Sequence, residues 1–439
     1  MKKGNWKALL PIAVFLIMYL GLGILFEYVL LIPMGFYNIP IVVSFLTALL
    51  VACLQNPSLK FDDKLAVIAR GVGDKNIITM ILIFMAAGIF VGVVGRGSAE
   101  SVAYFLLSII PARFAVLVLF IVSCFVSLAM GTSVGTITLI TPIAIAVSNG
   151  SGFSAPLCVG AVMGGAMFGD NLSFISDTTI AACNGQGCAM RDKFKANFGI
   201  AFPAAIATLV IILIRTAGGA PGDAIIKDYD LIQVIPYILV LIGGIVGINV
   251  FVVLLIGIVS GSVIMLATGA TQATDLLANM GNGAAGMYET TMVAILVSAI
   301  CALIQEYDGF TALLSFIRRI FKSQKGGKLG MGLLVGAMDV ATANNTVAIV
   351  MANPIAKEMA EDYDITPQTT ASILDTFYCI FQGVIPYGAQ MLVAISAATE
   401  LGCDISAFDI MPNLYYPYLL LVSSLVFMFF APKRKKKGR

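Results

Sequence analysis

The sequence predicts an all-α polytopic membrane protein made of two inverted-topology repeats, and three observations carry that prediction. Hydrophobic residues make up 59% of the 439 residues and charged residues only 11%, whereas soluble domains carry about 25% charged residues. Apolar stretches recur at the length of about 20 residues that crosses a bilayer. Short polar sequences of the first half also recur at one constant offset in the second half.

Ten apolar stretches have the length expected of transmembrane helices. They are 8–30, 37–55, 76–95, 155–182, 198–216, 231–248, 249–267, 288–305, 368–397 and 411–431. Two further segments, 114–150 and 329–357, are apolar at both ends and polar in the middle, which predicts re-entrant helical hairpins. Stretches 155–182 and 368–397 carry polar residues, glycine or proline in their interiors. We therefore predict that both are helices broken at mid-membrane.

The basic residues predict the topology, because lysine and arginine accumulate on the cytoplasmic side of a membrane. With the amino terminus inside, all but four of the 26 basic residues lie on that side. The four exceptions are Arg96, Arg113, Arg215 and Lys227. Both termini are therefore predicted to be cytoplasmic, and the run 191–195 is interpreted as a cytoplasmic amphipathic segment. The basic clusters 318–328 and 433–439 are interpreted as a loop and a tail near lipid headgroups, not as a nucleic-acid site.

The two halves of the chain match at an offset of 212 residues, as in Pro142–Ala144 and Pro354–Ala356. We predict a first repeat over 1–216 and a second over 217–439. An odd number of predicted crossings precedes the second half, so the two repeats would lie in opposite orientations. Inverted repeats whose interrupted helices meet at mid-membrane are typical of secondary transporters.

The composition argues against catalysis and against a metal centre. The chain contains no histidine, which is the commonest general base and metal ligand. Its eight cysteines form no CxxC pair, so a zinc site is not indicated. We interpret the cysteines as free, buried thiols, and we expect neither an enzymatic activity nor a cofactor.

Several acidic residues lie in or near the predicted spans, in stretches that contain no lysine or arginine. They are Asp170, Asp177, Glu289, Asp339 and Asp375. An ionised carboxylate at mid-membrane costs at least about 2.5 kcal/mol, so such an acid is expected to be protonated or to hold a cation. Either state suits a transporter coupled to sodium or protons. The alternative is a structural role, above all for Asp177, which is placed to cap a broken helix.

The polar tips of the two predicted hairpins, Gly131–Thr136 and Ala343–Ala348, fall at the same offset. Hydroxyl and amide oxygens, with backbone carbonyls freed at a helix break, are ligands for sodium, and half-helix N-termini favour a substrate carboxylate. The candidates at these tips and at the aligned second break are Thr132, Ser133, Thr136, Asn344, Asn345, Thr346, Gln382 and Gly383. The alternative is that small residues at the tips only permit close helix packing.

The stretch Phe168–Thr179, with Gly131–Thr136 before it, resembles the NhaC-type sodium/proton antiporter family of the ion transporter superfamily. The continuation Ala181–Arg191 is similar to the YuiF-like branch, whose members are predicted transporters of amino acids, with histidine among the expected substrates. The resemblance implies that the ion and substrate positions of the first repeat are Asp170, Asn171, Ser173, Ser176, Asp177 and Thr178. It also implies a homodimer in the inner (plasma) membrane of a prokaryote. Phe174 replaces the proline that is usual in the antiporters, which favours the branch with organic solutes.

These observations predict a secondary active transporter that moves a small amino-acid-like solute with sodium or protons by alternating access. The alternative is a sodium/proton antiporter without an organic substrate. Sodium is placed at Ser133, Asp170, Asn171 and Asn345. A zwitterion would set its amine near Asp170 or Asp375 and its carboxylate at a hairpin tip, while the absence of intramembrane arginine argues against a dicarboxylate. A channel is disfavoured, because hairpins that close a mid-membrane site leave no continuous pore.

Overall fold

The computed structural model describes residues 4–30, 39–174, 176–218, 228–246 and 248–430. All regular secondary structure in these ranges is helical, which confirms the predicted all-α class. Lys227 and the basic tail 433–439, both used in the topology prediction, lie outside the described residues.

The number of apolar helices agrees with about ten membrane crossings. Nine helices of the described ranges are long and apolar enough to cross a membrane, or ten if the bent pair Ala407–Asn413 and Tyr415–Phe429 is one span. The helices that meet this criterion are not all the ones that were predicted to span the membrane. The predicted spans 37–55 and 231–248 contain shorter apolar helices, Ile41–Leu54 and Leu231–Gly243.

The helices before the first predicted hairpin begin with a helix of mixed geometry. It passes through 3₁₀, α and π turns at Trp6–Leu9, Leu10–Leu16, Ile17–Gly21, Leu22–Ile24 and Leu25–Val29. The helices that follow are Ile41–Leu54, Phe61–Val72, Lys75–Ile109 and the 3₁₀ turn Ala112–Phe114. Lys75–Ile109 is kinked at Gly95, where φ is +62°.

Both predicted hairpins form as helix pairs with a sharp tip. Hairpin 1 consists of Ala115–Met130 and Ser133–Ser151, and hairpin 2 consists of Gln324–Thr342 and Asn345–Asp362. Each first helix ends on a left-handed residue, Gly131 (φ +69°) or Ala343 (φ +45°), at equivalent positions of the 212-residue offset. The arms of hairpin 1 have the length and composition of membrane spans and those of hairpin 2 do not, so re-entrance of the hairpins stays a prediction.

Both predicted broken helices are interrupted near the middle. Broken helix 1 consists of Ala155–Leu172 and Asp177–Gln186, and broken helix 2 consists of Pro367–Val384 and Ala389–Glu400. The second segment of each broken helix packs against the second helix of the opposite hairpin. The broken helix of each half of the chain therefore packs against the hairpin of the other half.

The remaining helices surround this centre. They are Met190–Thr216, Leu231–Val246, Val250–Ala267, Ala273–Gly286, Tyr288–Glu306, Gly309–Ile320, Ala407–Ile410, the 3₁₀ turn Met411–Asn413, and Tyr415–Phe430. Several of them occupy equivalent places at the predicted offset, such as Ala273–Gly286 and Phe61–Val72. The boundary between repeats at 216/217 and the inverted orientation remain predictions.

Candidate functional site

Asp170 lies in the last turn of the first segment of broken helix 1 and is 2% exposed. Its Oδ2 accepts hydrogen bonds from Ser133 Oγ (2.8 Å) and Tyr378 OH (3.1 Å), and its Oδ1 accepts one from Ser176 Oγ (2.6 Å). The Thr178 hydroxyl bridges the donors, at 2.7 Å from Ser176 Oγ and 2.9 Å from Tyr378 OH. The carboxylate is therefore surrounded by neutral hydroxyl groups.

Local backbone geometry places these groups together. Broken helix 1 stops at Leu172 because Ser173 adopts an extended conformation (φ −70°, ψ 139°). At the tip of hairpin 1, Thr132 caps the new helix by accepting a hydrogen bond from the Gly135 N–H (3.3 Å). This cap starts the helix at Ser133 and directs its hydroxyl to Asp170.

A cavity of about 80 Å³ lies beside Asp170, where the tips of both hairpins meet broken helix 1. Its lining includes most of the predicted polar residues: Thr132, Asp170, Ser176, Asp177, Thr178, Asn344, Asn345 and Thr346. Helix Lys75–Ile109 closes it with Thr79, Met80 and Ile83. The structure thus brings the two predicted tips and the first break to one place.

Three helix N-termini face this cavity. They belong to the helices that begin at Ser133, Asp177 and Asn345. Asn344 caps the third helix by accepting a hydrogen bond from the Val347 N–H (3.1 Å). Because helix N-termini carry partial positive charge, the cavity combines one buried carboxylate with surroundings that also attract an anion.

Some predicted residues lie away from the cavity. Thr136 Oγ1 donates to the Thr132 carbonyl (2.9 Å) and therefore stabilises the tip of hairpin 1 without lining the cavity. Asn171 faces Asn197, whose Nδ2 lies 3.2 Å from Asn171 Oδ1. Ser173 is buried and its N–H donates to the Asp170 carbonyl (3.2 Å). Phe174, 46% exposed, stacks on Phe194 at a centroid distance of 4.7 Å.

Asp375 is paired with a lysine from a different segment, although its own stretch contains neither lysine nor arginine. Lys193 Nζ lies 2.5 Å from Asp375 Oδ2, and both side chains are buried. The ammonium also donates to the Asn171 carbonyl (2.9 Å) and to Thr179 Oγ1 (2.8 Å). Within the run 191–195, which is predicted to be a cytoplasmic amphipathic segment, the Lys193 side chain is buried in the protein. Helix Met190–Thr216 begins eight residues before the predicted span 198–216 and carries the lysine into the protein.

Asn197 completes this second cluster, one turn after Lys193 on the same helix. Its Nδ2 donates to the Asn171 carbonyl (2.7 Å), and its Oδ1 accepts from Ser372 Oγ (3.0 Å) and Thr376 Oγ1 (2.7 Å). The cluster therefore joins the first break to broken helix 2. The amine of a zwitterionic solute would have to compete with Lys193 for Asp375.

Gln382 and Gly383 lie at the end of the first segment of broken helix 2, away from the cavity. The Gln382 amide, in the orientation that satisfies its neighbours, donates to Asp339 Oδ1 (2.7 Å) and accepts from the Ala389 N–H (3.2 Å). Gly383 packs on Met167, whose methyl carbon would lie 2.3 Å from an added Cβ. Thus Gln382 contacts a carboxylate of hairpin 2 instead of the cavity.

Two residues of the Asp170 site were missed from the sequence, Tyr378 and Gln390. Gln390 Nε2 donates to Ser133 Oγ (2.7 Å) from the second segment of broken helix 2. At the 212-residue offset these positions align with Ala166 and Thr178. The repeat therefore gave no signal for Tyr378, and only the hydroxyl of Thr178 could have pointed to a polar role for Gln390.

Gly169 allows broken helix 1 to approach the backbone of hairpin 1. An added Cβ would lie 2.4 Å from the Cys124 carbonyl oxygen and 2.6 Å from the Leu128 nitrogen. We expect Gly169→Ala to force the two elements apart and to lower the free energy of unfolding by about 1–3 kcal/mol. The displacement should also weaken the predicted binding of sodium at Asp170. Thermal melting and ²²Na binding of the detergent-solubilised protein measure the two effects.

The matched control for this prediction is Gly199→Ala, where an added Cβ meets no atom within 4 Å. Because alanine favours helix over glycine, this control should melt at or above the wild-type temperature. Equal melting of the two variants would contradict the close packing at Gly169.

Comparison with known proteins agrees with a transporter. The model of the Na⁺/H⁺ antiporter family matches residues 4–218 and 230–431, and the unmatched interval follows the predicted repeat boundary. The Na⁺/H⁺ antiporter NhaC of Bacillus subtilis (strain 168) is 24% identical over 402 residues, which cover 82% of this chain and 86% of that protein.

Two further similarities are more limited. The malate-2H⁺/Na⁺-lactate antiporter of Bacillus subtilis (strain 168) is 28% identical over 180 residues, 41% of this chain, and the match spans only 38% of that relative's length. The crystal structure of the Alcanivorax borkumensis YdaH transporter superposes with a TM-score of 0.41 at 12% identity, covering 97% of this chain and 98% of that one.

The family match extends over nearly the whole described chain, including every residue of the Asp170 site. The similarity to NhaC extends over most of both proteins. The family's coupling ions need no cofactor. The chain therefore belongs to the Na⁺/H⁺ antiporter family, which is a family of membrane transporters and not of enzymes.

Proposed function

We propose that this protein exchanges sodium for protons and that Asp170 is the carboxylate that holds the cation. The supporting observation is the buried Asp170 carboxylate, ringed by hydroxyls and bordering a cavity where both hairpin tips meet. Ser133, Ser176 and Tyr378 now donate to the carboxylate. A hydroxyl carries two acceptor lone pairs and can rotate, so the same oxygens can turn toward a bound cation.

Exchange follows from the electrostatics of this carboxylate. A bare ionised carboxylate in a buried site is strongly unfavourable, and either a proton or a sodium ion removes the penalty. The two ions compete for the same oxygens, so loading of one releases the other. Alternating access through movement of the tips would then expose the site to each side in turn.

A second candidate is sodium- or proton-coupled movement of a small amino-acid-like solute. It is favoured by the three helix N-termini at the cavity, which would attract the solute's carboxylate, and by the resemblance to the YuiF-like branch. The volume of about 80 Å³ is far below the roughly 300–1,000 Å³ of ligand pockets. In this conformation the cavity suits a cation with a few waters, so we prefer plain exchange.

One assay separates the two candidates. Purified protein in proteoliposomes with a pH-sensitive dye receives an inward sodium gradient, and the twenty amino acids are then added singly. Proton movement with sodium alone supports exchange. Proton or sodium movement that starts only with one amino acid supports the solute transporter, and silence under all conditions contradicts both.

The location and assembly that complete the proposal are a bacterial plasma membrane, cytoplasmic termini and a homodimer. Reaction of an introduced cysteine near each end with a membrane-impermeant thiol reagent tests the orientation. Light scattering of the detergent-solubilised protein tests the dimer. Labelling from outside whole cells, or a monomeric mass, would contradict the respective part.

A further inference from the structure

We propose that Asp339 of hairpin 2 is a second, proton-binding carboxylate and that Gln382 and Gln390 link it to Asp170. The inference rests on the proposed sodium/proton exchange and adds a separate site for a further proton. Asp339 is fully buried and takes no part in the cavity beside Asp170. Asp339 lies next to the break of broken helix 2 and contacts Gln382, the residue that aligns with Asp170 at the 212-residue offset.

The surroundings of Asp339 suit a proton better than a metal cation. Among the described residues its carboxylate has one hydrogen-bonding side chain, the Gln382 amide, at 2.7 Å from Oδ1 and 3.1 Å from Oδ2. The Asp170 site, in contrast, offers several hydroxyl oxygens. A sodium ion at Asp339 would lack most of its oxygen ligands, whereas a proton requires none beyond the carboxylate itself.

The other titratable groups near Asp339 are directed elsewhere. Tyr387 OH donates to the Val340 carbonyl (2.8 Å), Cys301 Sγ to the Ala341 carbonyl (3.5 Å) and Cys379 Sγ to the Met167 carbonyl (3.7 Å). The nearest lysine on its own helix, Lys328, is eleven residues away, which is about 16 Å along a helix. The described elements packed against Asp339 therefore supply neither a cation nor a competing acid in contact with it.

Gln382 couples protonation of Asp339 to the conformation at the break of broken helix 2. With its nitrogen toward an ionised Asp339, its oxygen accepts from the Ala389 N–H (3.2 Å), the first residue of the second segment. A protonated carboxyl keeps one oxygen that accepts from the amide nitrogen, but its hydroxyl is a new donor, for which the Gln382 amide oxygen is the acceptor at hand. Turning the amide would set its NH₂ against the Ala389 N–H, donor to donor, so the start of this segment must shift.

That segment touches the sodium site directly. Gln390 follows Ala389 and donates to Ser133 Oγ (2.7 Å), and Ser133 donates to Asp170 Oδ2 (2.8 Å). A shift of Ala389 on protonation of Asp339 therefore changes the donor that faces Asp170. In the reverse direction, sodium at Asp170 draws the Ser133 oxygen away from Gln390 and favours the ionised state of Asp339.

The test counts protons released per sodium bound by wild-type protein in weakly buffered detergent solution, with a pH dye and ²²Na. We expect more than one proton per sodium at the pH of greatest release, because Asp170 and Asp339 both contribute. Asp339→Asn should bind sodium within about threefold of wild type and release one proton fewer. Gln382→Leu should behave likewise, because Asp339 without its amide donor stays protonated.

The outcomes separate the two proposals. Release of no proton by wild type would refute sodium/proton exchange at Asp170 itself. Release of a single proton per sodium by wild type, or equal non-zero release by Asp339→Asn and wild type, would overturn the role of Asp339 alone. Because the wild-type count needs no substitution, misfolding of a variant does not remove the test. Asp362→Asn, at the exposed end of hairpin 2, is the control and should match wild type.

Discussion

Sodium-driven proton movement is expected to fall at least about 100-fold in Asp170→Asn, while the variant still folds. The asparagine has nearly the same shape, and the hydroxyls of Ser133, Ser176 and Tyr378 can each accept as well as donate. What disappears is the charge that binds the cation and the group that carries the proton. Removing the charged partner of the bound cation costs about 3 kcal/mol of binding free energy. Each 1.4 kcal/mol of binding free energy changes the affinity about tenfold.

Smaller changes at the same site should give graded effects. Ser133→Ala removes one neutral hydroxyl, so we expect sodium affinity to fall about fivefold, in line with about 1 kcal/mol for a hydrogen bond. Asp275→Asn removes an exposed carboxylate at the start of helix Ala273–Gly286 and should change neither affinity nor transport. Proteoliposome transport and ²²Na binding measure the series, and wild-type-like transport by Asp170→Asn would refute the cation site.

Lys193→Met is expected to lower the free energy of unfolding by about 3–5 kcal/mol. Removing one partner of a buried ion pair leaves the other charge without compensation. In this variant Asp375 loses its ammonium partner, and the carbonyl of Asn171 at the first break loses one of its two donors. The loss should appear as a large decrease in the melting temperature of the detergent-solubilised protein.

The double variant Lys193→Met/Asp375→Leu tests whether the effect belongs to the pair. Replacing both members of a buried pair by apolar residues is often neutral or stabilising, so the double variant should recover most of the lost stability. The double-mutant cycle then gives the coupling energy. A loss below about 1 kcal/mol in Lys193→Met, the range of exposed ion pairs, would contradict a buried pair.

The interruptions of the fold could be predicted from residues close in sequence. Gly131 is followed by Thr132, a good capping residue, and the same arrangement recurs with Ala343 and Asn344. Local rules of this kind, applied to an apolar background, located both hairpins and both broken helices. The cavity followed because both tips and the first break were predicted to meet at mid-membrane.

Lys193 could not be predicted in the same way. In the sequence, Lys193 belongs to the charged run Arg191–Lys195 between two apolar stretches. Charged residues in such runs are usually exposed to solvent at the membrane surface. Its burial depends on Asp375, 182 residues away, and on two hydrogen-bond acceptors around the first break. Neither periodicity nor a hydropathy window reports on partners at that separation, so the sequence predicts only an amphipathic segment at the membrane surface here.

Tyr378 and Gln390 could not be predicted because the sequence argument relied on symmetry between the two halves. The offset that found the tips treats the halves as equivalent, whereas the Asp170 site depends on their difference. A carboxylate on broken helix 1 corresponds to an amide on broken helix 2, and Tyr378 corresponds to Ala166. A symmetric scaffold thus carries an asymmetric site, which a search for symmetry cannot find.

The exchange of contacts between the halves has a consequence for synthesis of the chain. Helix Ser133–Ser151 packs against Ala389–Glu400, which leaves the ribosome roughly 10–50 s later at about 5–20 residues per second. During that interval the Ser133 hydroxyl lacks its Gln390 donor, and the face of the helix that packs against Ala389–Glu400 has no final partner in the bilayer. The first half must therefore persist as an inserted but unfinished intermediate, and nascent chains that stop before Ala389 should be the ones recognised by membrane proteases.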